Sequence, residues 1–282
     1  MLDLSTITSA SAVWKPQRTL IYGVQGLGKT SLGCTFEAPI LLRTEDGAMA
    51  IDVPTFPDIF KTYDQLCAAF AALHEQPHEY KTLVIDSLDW MEPLVWDHTC
   101  ALIRQDTGKD ITSIEQVGYG KGYVEADGPW RNIMGWLDAL RLGRGMGIVL
   151  IAHAEVKRHE PPDGDPYDRF QIKLHKRAWA LWQEWTDMVL FANYRRQMKK
   201  TKDGGAKGED KFRAIGSGER VLYTDERPAY MAKNRWSLPH EIYIGQDKNW
   251  TAFHQALHAA TSGRYALPQA LAQNATTTPD AA

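Results

Sequence analysis

One segment near the N-terminus constrains what this chain can fold into more than any other. It fits G-x-x-x-x-G-K-[ST] at every fixed position and reads Gly23, Val24, Gln25, Gly26, Leu27, Gly28, Lys29 and Thr30. An apolar run precedes it and a helical pattern follows, which is the strand-loop-helix context in which this motif binds phosphate. Glycines let successive backbone N–H groups face anionic oxygens, and Lys29 is expected to reach the β and γ phosphates. The motif predicts that ATP is bound by these residues and by the adjoining Ser31.

The same motif indicates a magnesium site. Thr30 offers a hydroxyl, and Mg²⁺ prefers oxygen ligands while keeping several waters. A carboxylate should end a neighbouring buried strand, and residues 82–86 (TLVID) supply Asp86. A strand-terminal aspartate can also cap the next helix, and that alternative stays open. The predicted cofactors are ATP and Mg²⁺, with Thr30 and Asp86 as metal ligands.

Strand and helix patterns alternate over the first two thirds of the chain. Buried-strand patterns lie at 18–23, 38–43, 81–86 and 147–152, and helical patterns at 63–74, 88–104 and 130–142. Such alternation predicts an α/β fold with a mostly parallel central sheet flanked by helices. After residue 185 the pattern changes and predicts antiparallel strands added at the C-terminal side.

Length and composition favour one domain with a loose tail. With 282 residues and 44% hydrophobic content, the chain can bury one sizeable core. We expect an N-terminal extension at 1–17, one ATPase domain at 18–262 and a disordered tail at 263–282. Three cysteines without paired spacing, and no membrane-span or signal pattern, predict a cytoplasmic protein without a membrane partner.

Two carboxylates and one histidine follow predicted strands. Glu45 and Asp46 come just after the second strand, and His153 follows the strand at 147–152. By residue type alone, the carboxylates could begin a solvated turn and His153 could be an ordinary core histidine. Lys233 and Arg235, near the last strand pair, could likewise be ordinary surface cations.

These positions resemble those of RecA-type ATPases. The resemblance implies that Glu45 polarises the attacking water, with Asp46 as the near-equal alternative, and that His153 senses the γ-phosphate. It further implies that Lys233 and Arg235 contact the nucleotide of a neighbouring subunit. From residue 18 to 239 the chain resembles the phage-encoded RecA-like group of AAA-domain nucleotide-binding proteins related to single-strand annealing recombinases.

The resemblance implies a RecA-like P-loop NTPase fold and a set of partners. We expect a homo-oligomer that binds single-stranded DNA in phage recombination or replication, possible contact with a phage or host single-strand-binding protein, and a place in the host cytoplasm. The expected catalytic residues are Lys29, Glu45 and His153. Two other functions remain open, a nucleotide-gated assembly protein without DNA binding and a P-loop kinase of small molecules.

A nucleic-acid surface would have to be local, because the formal net charge is -3. Residues 195–213 carry eight Lys or Arg against three acids, which could track a phosphate backbone. Residues 155–177, where RecA-like proteins have a DNA-binding loop, and the glycine-broken segment 116–130 combine cations with aromatic rings. Each segment could also be a solvated mobile loop.

Overall fold

The computed structural model describes residues 14–47, 50–201, 211–244, 250–269 and 271, and for 196–201 and 211–217 it describes the backbone only. Residues 1–13 of the expected N-terminal extension therefore lie outside the described residues. So do 202–210 of the basic segment and most of the expected tail.

The described part of the chain contains nine strands. They are β1 (Arg18–Gly23), β2 (Pro39–Arg43), β3 (Thr82–Asp86), β4 (Gly147–His159), β5 (Tyr167–Ile172), β6 (Met188–Thr201), β7 (Lys211–Tyr223), β8 (Lys233–Asn234) and β9 (Glu241–Ile244). The central strands β1 and β3 are buried almost throughout, as expected for strands covered on both faces.

Seven α-helices accompany them in the described ranges. They are α1 (Lys29–Gly33), α2 (Tyr63–Glu75), α3 (Leu88–Thr107), α4 (Lys121–Glu125), α5 (Asp127–Gly143), α6 (Lys176–Trp185) and α7 (Thr251–Ala260). Local sequence sets several ends: Thr62 and Gln65 form a capping box that begins α2, and Gly108 ends α3 in a left-handed conformation. None of the described helices has the length and apolar character needed to cross a membrane.

The strands form one sheet whose order is β2-β3-β4-β1-β6-β7-β9, with β5 paired to β4 and β8 to β6. The first five of these strands run parallel, while β7 and β9 are antiparallel to their neighbours. Crossover helices join the parallel strands, and hairpin connections suffice for the antiparallel ones. The predicted α/β fold class, with a mostly parallel sheet and antiparallel strands at the C-terminal side, is confirmed.

Both neighbours of β1 continue past its end. The last pairs of β1 are Gly23 with His153 of β4 and Gly23 with Ala192 of β6. Beyond that level β4 pairs with β5, and β6 pairs with β7, each as an antiparallel hairpin. The segment that leaves β1 at Gly23 therefore lies between the bases of two hairpins.

Apolar side chains cover both faces of the sheet. On one face Phe70, Trp130 and Trp182 are buried among α2, α5 and α6. On the other face Leu32 and Phe253, from α1 and α7, pack on the sheet. Burying each such side chain contributes roughly 1.5–3 kcal/mol, so helices are held on both faces. Trp179 of α6 also belongs to this core, and the partly buried Trp185 packs against it.

Two segments that the sequence suggested as loops have regular structure. Residues 155–177 contain the outer half of β4, the whole of β5 and the start of α6. Residues 116–130 contain the end of one short 3-10 helix (Ile114–Gln116), a second complete one (Gly118–Gly120), α4 and the start of α5. Glycine-rich and polar composition suggested loops, but long-range pairing and packing formed a hairpin and helices there.

Candidate functional site

The phosphate-binding loop begins where β1 meets β6. A Cβ atom at Gly23 would lie 2.0 Å from the carbonyl oxygen of Ala192, so only glycine fits at this close approach. Gly26 and Gly28 have φ angles of 76° and 100°, which also favour glycine. The fixed glycines of the motif are thus explained by backbone geometry.

Lys29 is buried inside the loop that precedes it. Its Nζ donates hydrogen bonds to the carbonyl oxygens of Gly23 and Val24, at 3.1 and 3.0 Å. Burial lowers the pKa of Lys29, and the negative charges of Asp86, Asp89 and Glu45 act against this. The ammonium group therefore lies within electrostatic reach of three carboxylates.

Thr30 and Asp86 come together as the sequence predicts. The Thr30 hydroxyl donates to Oδ2 of Asp86 at 2.7 Å. Burial raises the pKa of Asp86, and the hydrogen bond from Thr30 opposes the rise. These two oxygen donors beside Lys29 suit a magnesium ion that takes its other ligands from water and phosphate. No group of three or more His, Cys, Asp or Glu side chains among the described residues forms a separate metal site.

The ends of β2 and β3 are tied together next to Asp86. The backbone N–H of Thr44 donates to the carbonyl oxygen of Asp86 at 2.8 Å, and the Thr44 hydroxyl donates to the carbonyl oxygen of Ser87 at 2.7 Å. The Ser87 N–H in turn donates to the Thr44 hydroxyl. Because Glu45 follows Thr44, these bonds fix its backbone beside the carboxylate that ends β3.

His153 and Glu45 also reach this site. Glu45 Oε1 lies 3.9 Å from Nδ1 of His153, and its side chain is 19% exposed. Asp46 is exposed and has no contact of this kind among the described residues. Of the two carboxylates that the sequence left open, Glu45 is the one directed at His153.

Sequence reasoning missed Asp89, which holds His153. Asp89 Oδ1 accepts the backbone N–H of His153 at 3.0 Å, and Oδ2 lies 2.9 Å from the ring Nδ1. The hydrogen bond to Asp89 raises the pKa of His153 against the effect of burial. Burial would raise the pKa of Asp89, but its bonds to His153 outweigh this and lower it. The available signal was its position three residues after Asp86, in the first turn of α3.

Lys233 and Arg235 are not brought to this site within the chain. Lys233 Nζ donates to the carbonyl oxygens of Gln183 and Thr186, at 2.7 and 2.9 Å, so it caps the C-terminal end of α6. Its backbone pairs with the beginning of β6, about 10 Å along that strand from the level of Gly23. Contact with the nucleotide of a neighbouring subunit stays a prediction.

Arg235 lies beside Asp187, at the same edge of the sheet as Lys233. Its Nη1 is 3.4 Å from Oδ1 of Asp187, and its side chain is 53% exposed. The ammonium group of Lys233, by contrast, donates hydrogen bonds to backbone carbonyl oxygens. Of the two cations, Arg235 is the one with an exposed side chain.

The candidate nucleic-acid segments differ in what the structure leaves accessible. In the β4–β5 hairpin, Arg169 is 6% exposed and paired with Glu226, and Phe170 packs against the core, so neither is free for DNA. Tyr123 of the segment 116–130 stacks on His175 with ring centroids 3.9 Å apart. Tyr119 is fully exposed. Residues 195–201 and 211–213 of the basic segment belong to β6 and β7.

The fold and the site together define a P-loop nucleotide-binding protein of the α/β class. A family model described as AAA domain matches residues 15–236, and the chain belongs to that family. Among solved structures, the crystal structure of the RadB recombinase is similar, with 11% sequence identity, a TM-score of 0.43, and coverage of 84% of this chain and 90% of that one. No curated protein matches the chain.

Proposed function

We propose that this protein hydrolyses ATP with Mg²⁺ and couples the nucleotide state to binding of single-stranded DNA, in phage recombination or replication. One observation carries the proposal: the Thr30 hydroxyl lies 2.7 Å from Asp86 beside the buried Lys29. A hydroxyl, a carboxylate and an ammonium group in this arrangement are what a magnesium–triphosphate complex requires.

Each side chain has a part in hydrolysis that its position supports. Lys29 exchanges the carbonyl oxygens of Gly23 and Val24 for β- and γ-phosphate oxygens. Thr30 and Asp86 hold the metal, and bound Mg²⁺ supplies charge that neutralises the phosphates. Catalysis of this kind depends on positioning and electrostatic stabilisation more than on covalent chemistry.

Glu45 and His153 act on the γ-phosphate side. Glu45 accepts a hydrogen bond from the attacking water and orients it. Asp89 occupies Nδ1 of His153, so Nε2 is the ring nitrogen left for a phosphate oxygen. Binding or loss of the γ-phosphate would then change the contacts of His153, which lies at the base of the β4–β5 hairpin.

The sheet topology supports a path from the nucleotide to DNA. β1 lies between β4 and β6, and both of these strands continue into hairpins beside the phosphate loop. Charge favours the β6–β7 hairpin, because residues 195–213 have eight cations and three acids. Residues 155–173 have five acids against four cations, so this hairpin has no excess of cations to attract a phosphate backbone.

ATP turnover measured with and without single-stranded DNA tests the proposal. We expect DNA to raise the rate of the wild-type protein, and DNA affinity to fall steeply with added salt. The double substitution Lys199→Glu, Lys200→Glu should remove the stimulation but keep basal turnover. Lys109→Glu, an exposed site beyond the far end of α3, serves as the matched control.

The other two functions give different results in the same assay. Turnover without DNA stimulation, and without salt-sensitive DNA binding, would favour a nucleotide-gated assembly protein. ADP formation only after a phosphate acceptor is added would indicate a small-molecule kinase. In a homo-oligomer, Arg235 is the better candidate for contact with a neighbour's nucleotide, because its side chain is exposed.

A further inference from the structure

Two buried carboxylates of α3 face the base of the β4–β5 hairpin. Asp89 and Glu92 are three residues apart, a spacing that puts both on one face of the helix. The Asp89 side chain is 2% exposed, and Glu92 is 6% exposed. Acidic side chains are rarely this buried without partners. The hydrogen-bond partners of Asp89 and Glu92 therefore explain why these carboxylates can be buried.

Asp89 binds the residue at which the hairpin begins. It accepts both the backbone N–H and the ring Nδ1–H of His153. A residue held at two points has its main chain and its side-chain torsion fixed together. The carbonyl oxygen of His153 accepts the N–H of Lys173 at 2.9 Å, and Ala154 then pairs with Ile172. The contact with Asp89 is thus made at the base of the hairpin, where the pairing between β4 and β5 begins.

Glu92 binds the residue just after the hairpin. Its two carboxylate oxygens lie 3.0 and 3.1 Å from the backbone nitrogen of His175, which is the N-cap residue of α6. Burial raises the pKa of Glu92 to about 7, and the hydrogen bond from His175 opposes the rise. The His175 ring also stacks on Tyr123, so the position of this residue is fixed from two sides.

We propose that Asp89 and Glu92 are positioning residues that form a two-point clamp, holding the entry and exit of the β4–β5 hairpin on α3. Asp89 lies in the first turn of α3, three residues after Asp86, so the hairpin is held close in sequence to the proposed metal ligand. His153 then cannot move toward a phosphate without straining the Asp89 contact. An effect of the clamp on ATP turnover rests on the proposed ATP hydrolysis. The clamp itself does not depend on that proposal.

Amide hydrogen exchange at His153 and His175 in the nucleotide-free protein tests the clamp directly. Loss of a hydrogen bond to a buried charged group should speed local exchange by about tenfold to a hundredfold. We expect this at His153 in Asp89→Leu, and at His175 in Glu92→Met. Asp97→Leu, at an exposed position on the same helix, is the control for loss of a carboxylate from α3. Asp89→Asn and Glu92→Gln, which each keep an acceptor oxygen, are the controls for loss of the hydrogen bond.

Unchanged exchange at both amides in folded variants would overturn the clamp. If a variant does not fold, Asp89→Glu and Glu92→Asp replace it, because they move the carboxylate oxygens by one methylene group. Hydrogen exchange is then measured at the same two amides, those of His153 and His175. Because this measurement needs no nucleotide, it stands even if ATP hydrolysis is disproved.

Steady-state kinetics test the link to turnover. Asp89→Asn keeps the size of the side chain but alters the ring orientation and protonation of His153. It should lower kcat by about tenfold or more, with KM for ATP changed less than about threefold. A general loss of structure would instead raise KM and lower thermal stability together. Wild-type kcat in a variant with accelerated His153 exchange would contradict the link.

Discussion

Acid should weaken the attachment of α7 to the end of the phosphate-loop helix, because His254 is buried in its neutral form. The Thr35 hydroxyl donates to the carbonyl oxygen of Leu32 at 2.7 Å, so it can only accept from Nε2 of His254, 2.8 Å away. Nδ1 then accepts from the hydroxyl of Tyr265 at 2.6 Å. The uncharged ring is satisfied on both sides and is 0% exposed.

The size of the effect follows from the pKa of His254, which burial lowers from 6.5 to about 4. Above pH 6.5 the ring is neutral in both the folded and the unfolded state, so it adds no pH dependence. Below pH 6.5 the unfolded chain takes up a proton that the folded protein refuses, and folding loses about 1.4 kcal/mol per pH unit. Between pH 6.5 and pH 5 the loss amounts to about 2 kcal/mol.

Urea denaturation at pH 7 and pH 5 measures this loss in the wild-type protein and in His254→Gln. The amide of glutamine can donate and accept but does not titrate. We expect the free energy of unfolding of the wild type, relative to the variant, to drop by about 2 kcal/mol between the two pH values. His258→Gln, on the same helix, should keep the wild-type pH dependence. If wild type and His254→Gln differ in unfolding free energy by the same amount at both pH values, His254 is not the source of the acid sensitivity.

Three substitutions test other parts of the structure. Gly23→Ala should cost about 1–3 kcal/mol of unfolding free energy, because its Cβ collides with the backbone of β6, while Gly47→Ala, in open space, should cost little in the same urea titration. Glu45→Gln should lower kcat by about a hundredfold or more, whereas Asp46→Asn should leave kcat within about twofold. Equal effects of the two substitutions on kcat would mean that Glu45, the carboxylate facing His153, does not orient water. Lys233→Met should lower the midpoint of thermal unfolding by removing about 1–2 kcal/mol of capping at α6, and an unchanged midpoint with reduced turnover would favour the intersubunit role instead.

The phosphate loop and Asp86 could be predicted because their signals are local. The motif fixes the residue types at each close backbone approach, as the contact between Gly23 and β6 illustrates. A carboxylate after a buried apolar strand must end at the carboxyl edge of a parallel sheet, where the loop also lies. Thr30 and Asp86, 56 residues apart, could therefore be paired from the sequence.

The β4–β5 hairpin and the part played by Lys233 could not be predicted in the same way. The outer half of β4 is held by pairing with β5 and has little buried surface, so its residues lack the apolar run that marks a central strand. Lys233 binds carbonyl oxygens 47 and 50 residues away, and nothing near it in the sequence signals this. Asp89 was hidden by its neighbour Asp86, since one carboxylate was enough to complete the expected metal site.

We propose that the loop from Gly23 to Thr30 binds a triphosphate through Lys29. Calorimetric titration of the wild-type protein and of Lys29→Ala with a non-hydrolysable ATP analogue and Mg²⁺ measures the affinity for the triphosphate. Lys81→Ala, an exposed lysine just before β3, is the matched control. We expect Lys29→Ala to weaken binding by about a hundredfold or more, since charge-assisted bonds to phosphate are lost, and Lys81→Ala to bind like the wild type. Equal affinity of Lys29→Ala and the wild type would contradict the proposal.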